Sequence, residues 1–88
     1  MTKDILLSTP ARKQYGDLER KSKNRIKNAL KDIAAGNEKR DVKKLKGLKG
    51  REDLCRLRVG DYRIIYYEDD ECIKVTQIIH RSRGYDWL

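Results

Sequence analysis

Arginine recurs at strand spacing in the run Arg56-Leu57-Arg58-Val59-Gly60-Asp61-Tyr62-Arg63. A second basic cluster, His80-Arg81-Ser82-Arg83-Gly84-Tyr85, lies near the end of the chain. Successive side chains of a strand alternate faces, so Arg56 and Arg58 share one face while Leu57 and Val59 share the other. Gly60-Asp61 supplies a turn, and Tyr62 to Tyr67 read as the returning strand, with Arg63, Ile65 and Tyr67 on one side. Where the arginine-bearing faces coincide, Arg56, Arg58 and Arg63 converge, and Arg81 at the end of the last strand joins them. A sheet with arginines on one face and an apolar reverse calls for an anionic partner: phosphate, nucleic acid or an acidic protein. Guanidiniums so placed can hold a phosphodiester bidentately and stabilise the extra charge of a pentacovalent phosphorane. Arginine stays protonated to a pKa above about 12, which restricts it to binding and electrostatic roles rather than general-base work. Tyr85 can stack on a base, orient a hydroxyl or move a proton. His80 has a suitable intrinsic pKa for acid–base chemistry, but in a regular strand it faces away from its neighbour Arg81.

Other chemistries are disfavoured. Glu52, Asp53 and Asp61 are the acids nearest the cluster and read as turn or capping residues. No carboxylates are paired at metal-binding spacing, so a metal-dependent nuclease is not expected, and no cofactor is called for. Leu45-Lys46-Gly47-Leu48-Lys49-Gly50 does not match a nucleotide-binding glycine loop. Cys55 and Cys72 lack CxxC spacing and the chain has one histidine, which argues strongly against a zinc site. Two such cysteines fit reduced, small core residues.

Eighty-eight residues suffice for one modest core, so a single domain over 1–88 is expected. Lys+Arg 22 against Asp+Glu 14 gives a net charge of +8, which suits phosphate-rich or acidic partners. The short apolar run Ile5-Leu6-Leu7 is not a signal peptide, and nothing approaches the ~20 apolar residues that span a bilayer. A cytoplasmic location without membrane contact is the expectation.

The elements that must carry these residues follow from spacing. Ile5 to Ser8 suit a short first strand, and Ser8-Thr9-Pro10 reads as a helix start with a hydroxyl cap and a proline in the first turn. Ala11, Tyr15 and Leu18 continue at i, i+4 and i+7. Ser22 is a plausible second cap, before the Ile26, Ala29, Leu30, Ile33 stripe of an amphipathic helix that stops at Gly36-Asn37. Residues 38–51 form a basic connector, with Lys39, Arg40, Lys43, Lys44, Lys46, Lys49 and Arg51. It reads either as a solvated loop or as a phosphate-contacting arm. Three strands follow, about 54–59, 62–67 and 72–80, as an antiparallel meander. Ile73, Val75, Ile78 and Ile79 break strict alternation, which a bulge or burial on both faces explains. The expected fold is α+β, with an N-terminal strand and a two-helix hairpin packed on a small, mostly antiparallel sheet.

At these residues the chain resembles the RelE/ParE superfamily of toxins from toxin–antitoxin modules, closer to RelE. The resemblance covers nearly the whole chain. Its sharpest matches are Leu45-Lys46-Gly47, the run from Arg56 through Tyr66, and His80-Arg81 with Tyr85. It implies a fold like that of small microbial ribonucleases and a ribosome-dependent endoribonuclease. Such a toxin cuts mRNA in the A site, without metal, by attack of the ribose 2′-hydroxyl on the neighbouring phosphate. By resemblance, Arg63 and Arg81 hold the scissile phosphate, and Tyr85 stacks on or orients the substrate. Arg56 and Arg58 stand where the family frequently has lysines that bind phosphate or shuttle protons. Arginine there argues against lysine-type proton transfer and leaves the general base unassigned. Lys43, Lys44, Lys46, Lys49, Arg51 and Arg83 are the expected substrate-binding cations. The implied partners are an acidic, partly disordered RelB-like antitoxin, the ribosome with mRNA, and operator DNA reached through the antitoxin complex. The middle run is shared by both branches, so a ParE-like gyrase inhibitor without ribonuclease activity is the alternative.

Overall fold

Ser8 starts the first helix as the sequence predicts. Its Oγ accepts from the Ala11 N–H (3.1 Å) and donates to the Thr76 carbonyl (2.8 Å), tying the cap to the sheet. The computed structural model describes residues 2–37, 39–45 and 54–83, Arg83 by its backbone alone. The chain runs β1 (Asp4–Leu7), α1 (Thr9–Gly16), α2 (Arg20–Ala34), β2 (Val42–Lys44), β3 (Cys55–Val59), β4 (Tyr62–Glu68), β5 (Cys72–His80) and a 3₁₀ turn, Arg81–Arg83. The five strands form one sheet in the order β1-β5-β4-β3-β2. β1 joins β5 in parallel, across the two helices, and the other pairings are antiparallel.

The apolar stripe of α2 (Ile26, Ala29, Leu30, Ala34) is buried on one side of the sheet. There it meets Leu57, Val59, Ile64, Tyr66, Ile73, Val75 and Ile78. The opposite face carries a smaller cluster of Leu54, Ile65 and Ile79, with Leu45 and Tyr67 at its margin. Between Ile65 and Tyr66 the β4–β5 register shifts: Ile65 pairs with Gln77, but Tyr66 pairs with Val75, leaving Thr76 as the extra residue. This bulge and the second cluster together account for the broken alternation, since Ile78 faces the helices and Ile79 the far side. Beyond Val75, β1 no longer supplies partners. Gln14 of α1 takes over, its Oε1 accepting from the Ile78 N–H at 2.7 Å while its Nε2 donates to Gln77 Oε1.

Two local expectations are corrected. α2 begins at Arg20 with Glu19 as the N-cap, three residues before the predicted cap, and Ser22 sits inside the helix with its hydroxyl on Glu19 Oε1. The connector is neither free loop nor arm throughout, because Val42–Lys44 pairs with β3 as an edge strand. Lys46, Lys49 and Arg51 of that connector lie outside the described residues. No described helix is long and apolar enough to cross a membrane.

Candidate phosphate-binding face

The register decides which cations meet. Arg58 stands directly opposite Arg63, and Arg63 opposite Ile79, making one row across β3, β4 and β5. The next row runs Lys43, Arg56, Ile65. Directly opposed side chains lie about 5 Å apart at Cβ, and residues two apart on a strand about 7 Å. Lys43, Arg56, Arg58 and Arg63 therefore form one basic quadrilateral on the face turned away from the helices. Ile65 and Ile79, 0% and 5% exposed, are its apolar border. Like charges directly opposed across a sheet destabilise it. Arg58 and Arg63 are such a pair, and an anion bound between them would relieve the repulsion.

Arg81 reaches the same end of the sheet by its backbone. Its N–H donates to the Asp61 carbonyl at 2.7 Å, and Asp61 lies in the β3–β4 turn two residues before Arg63. The Arg81 guanidinium is 65% exposed and only loosely paired with the Asp61 carboxylate at 3.6 Å, so water and ligand can compete for it. The turn is built on Gly60, whose φ of +56° few other residues adopt without cost.

Not every predicted cation is equally available. Arg56 is 15% exposed at its side chain, and its Nη2 is bound to Asp41 Oδ1 at 3.1 Å. Its Nε is buried without a partner. Arg56 is thus fixed in place, with part of its fork already used. Arg63 is half-buried rather than fully solvent-facing, whereas Arg58 is exposed. Lys44 pairs with Cys55 and so belongs to the helix-side face, apart from Lys43 and the arginines. Tyr85 and the Arg83 side chain lie outside the described residues.

The histidine and tyrosine chemistry narrows too. His80 pairs with Tyr62 on the helix side, its ring edge-on at 5.3 Å, and its Nδ1 is 2.9 Å from Ser82 Oγ. It faces away from the arginine quadrilateral, as its parity predicts. Burial, reinforced by neighbouring Cys55 and Glu68, pushes the Tyr66 phenol above its ordinary range, which removes it from acid–base work near neutrality. Cys55 and Cys72 form no disulfide, and β4 lies between their strands. A cleft of about 410 Å³, lined by residues including Ile33, Ala34, Val42, Tyr66, Lys3 and Arg40, opens on the helix side and not on the arginine face.

Asp41 and Arg25 were not singled out from sequence. Asp41 anchors Arg56 and accepts the Arg58 N–H through its carbonyl at 3.0 Å. Arg25 of α2 lays its guanidinium beside Gly60, where a Cβ would come 3.1 Å from Nη1. Only tertiary placement brings either residue to the site.

Two helices covering one face of a mostly antiparallel five-stranded sheet is the arrangement of RelE-like toxins. The family model for the ParE toxin of type II toxin–antitoxin systems, parDE, matches residues 5–85, and the chain belongs to this RelE/ParE superfamily of type II toxins. The archaeal RelE–RelB complex from Pyrococcus horikoshii OT3 is similar at 31% identity and TM-score 0.69, covering 96% of this chain and 100% of that one. The RelB–RelE antitoxin–toxin complex from Methanococcus jannaschii is similar at 27% identity and TM-score 0.75, covering 94% and 98%. The toxin–antitoxin complex RelBE2 from Mycobacterium tuberculosis shares the fold at 20% identity and TM-score 0.74, covering 92% and 100%. No curated protein matches the chain.

Proposed function

We propose that this toxin is a ribosome-dependent endoribonuclease that cuts mRNA in the A site and so blocks translation. The observation that supports this reading best is the Arg58–Arg63 pair, with Arg81 tethered to the adjacent turn. In the proposed reaction the ribose 2′-hydroxyl gives up its proton as its oxygen attacks the adjacent phosphorus. The P–O5′ bond breaks, the 5′-oxygen leaves with a proton, and a 2′,3′-cyclic phosphate remains. Arg63 and Arg81 bind the non-bridging oxygens and stabilise the phosphorane, where charge is greatest. Arg58 adds field from the opposed strand. Arg56 and Lys43 hold the flanking backbone, Arg56 as a preorganised cation rather than a proton shuttle. Tyr85 orients the attacked nucleotide. Lys44, on the other face, is not assigned to this phosphate track, and for Lys46, Lys49, Arg51 and Arg83 the substrate-binding role rests on the sequence alone.

The proposed partners are the ribosome and mRNA, together with a RelB-like antitoxin whose acidic, partly disordered chain complements a +8 toxin. Operator DNA is reached through that complex, and the cytoplasm is the compartment where all of these meet. The family description favours a second reading, a gyrase inhibitor that cleaves no RNA. Primer extension on a reporter mRNA in a translating extract separates the two. Ribosome-dependent cuts by the wild type that vanish with Arg81→Ala support the ribonuclease. Cuts without ribosomes indicate a free ribonuclease, and growth arrest without cuts points to gyrase.

A further inference from the structure

We propose that the outward face of α2 is a second polyanion-binding surface, seating the phosphate backbone of double-helical RNA on the layer opposite the arginine face. The choice of RNA rests on the ribonuclease reading, and the surface itself rests on α2. That helix carries Arg20, Lys21, Lys23, Arg25, Lys27 and Lys31 against one acid, Asp32, which is engaged by Arg40 at 2.7 Å. At about 100° per residue, Arg20, Lys27 and Lys31 fall within roughly 40° of one another, on the side turned from Ile26, Ala29 and Leu30. Lys23 and Asn24 flank them. Arg20, Lys27 and Lys31 are exposed, and Lys23 is half-buried. The ridge rises about 16 Å from Arg20 to Lys31, with a cation about every 4–6 Å once the flanking Lys23 is counted, a length over which each strand of a double helix offers several phosphates.

The helix is built this way against its own stability. Its first turn holds Arg20, Lys21 and Lys23 and no acid, so the Glu19 cap alone answers the positive end of the dipole. Lys23, Lys27 and Lys31 follow at i, i+4, where like charges repel. Among the described residues, none of Arg20, Lys21, Lys27 and Lys31 has an ion-pair partner. A local rule broken with so little internal compensation points to a surface selected for something outside the chain. The ridge and its flanking Asn24 and Asn28 contain no aromatic or apolar anchor. Protein-binding surfaces are enriched in such anchors and depleted of lysine at their centres. Regularly spaced, flexible cations suit a sequence-independent backbone instead. Such a surface would hold the toxin on structured RNA while the opposite face works on a single strand.

The test is fluorescence anisotropy of the full-length protein with an RNA duplex of about 20 base pairs, across a sodium chloride series. Arg20→Gln/Lys27→Gln/Lys31→Gln is compared with wild type and with Arg63→Ala. Glutamine keeps the helix propensity. The triple variant is expected to lose about 2–3 from the magnitude of the salt slope and at least tenfold in affinity near 0.1 M salt. Arg63→Ala should leave the slope within about one unit while losing cleavage. An unchanged slope in a triple variant with a native circular dichroism spectrum overturns the proposal. So does a loss confined to poly-glutamate binding, which would make the ridge a protein-docking face. If the wild type cuts no RNA and the triple variant still loses the duplex slope, the ridge stands and the ribonuclease reading falls.

Discussion

At the scale of single residues, the candidate site is a set of arginines held to different degrees. Arg56 is fixed by Asp41, Arg63 is half-buried between Arg58 and Ile79, and Arg81 hangs on a backbone bond with an exposed head. Arg81→Ala should therefore lower cleavage by about 10²–10³-fold, as for loss of an oxyanion donor, while the thermal melt stays within a degree or so. An unfolded Arg81→Ala protein would show that the side chain is structural. Leu30→Ala is the converse case. Leu30 is 3% exposed against the main core, and its truncation should cost about 2–5 kcal/mol in a urea titration. The alternating arginines were legible because strand parity alone places Arg56, Arg58 and Arg63. Asp41 was not legible, since its role depends on a strand pairing that only the fold reveals. The half-burial of Arg63 follows from Ile65 and Ile79, a second cluster that breaks the usual division between one buried and one wet face.

At the scale of elements, legibility followed the strength of the periodic signal. The α2 stripe and the Ser8 cap were readable because they combine a 3.6-residue period with a specific hydroxyl and proline. β2 was not, because three residues with one apolar side chain carry no period. The α2 start was misplaced because Glu19 makes no side-chain cap bond, while Ser22 looks like a cap in sequence. The broken rhythm of β5 pointed to a bulge or to double-sided burial, and Thr76 and Ile79 supply one each. Two turns can be tested directly. Gly60→Ala forces a Cβ into a left-handed conformation and within 3.1 Å of the Arg25 guanidinium, so it should destabilise by about 1–2 kcal/mol in the same titration. In the β4–β5 turn, Asp69 accepts from the Glu71 and Cys72 N–H groups and meets Lys74 at 3.3 Å. Those backbone bonds, then Lys74, lower its pKa, and the bond to Asp69 raises that of Lys74. A lowered carboxyl pKa stabilises the fold above the unfolded value and is lost as pH falls through the folded one. The raised lysine contributes below its unfolded pKa and is lost as pH rises through its folded one. The melting temperature of the wild type should thus fall below about pH 4 more steeply than that of Asp69→Asn, and equal slopes would remove this turn from the acid transition.

At the scale of the whole molecule, charge sets the behaviour. The chain carries +8, with cations on both layers: the arginine face of the sheet and the outward face of α2. Ion pairs such as Lys3–Glu68 and Arg40–Asp32 are at least partly exposed, and pairs of that kind are worth about 0–1 kcal/mol each. Self-repulsion of the excess cations acts throughout and opposes the compact state. Salt screens both, shrinking the Debye length from about 30 Å at 0.01 M to about 3 Å at 1 M. With so large an excess of one sign, relief of repulsion should win. Raising sodium chloride from about 0.02 to 0.5 M should stabilise the free toxin by about 1 kcal/mol, roughly 4–8 °C for a domain of this size. The same salt should weaken every polyanion complex, because counterion release drives that binding. Opposite signs in the two measurements, a rising melt and a falling affinity, are the expectation for a protein whose surface is balanced only when bound. A melting temperature that falls with salt would mean that the ion pairs outweigh the repulsion, and that the basic faces are less strained in the free toxin than their density implies.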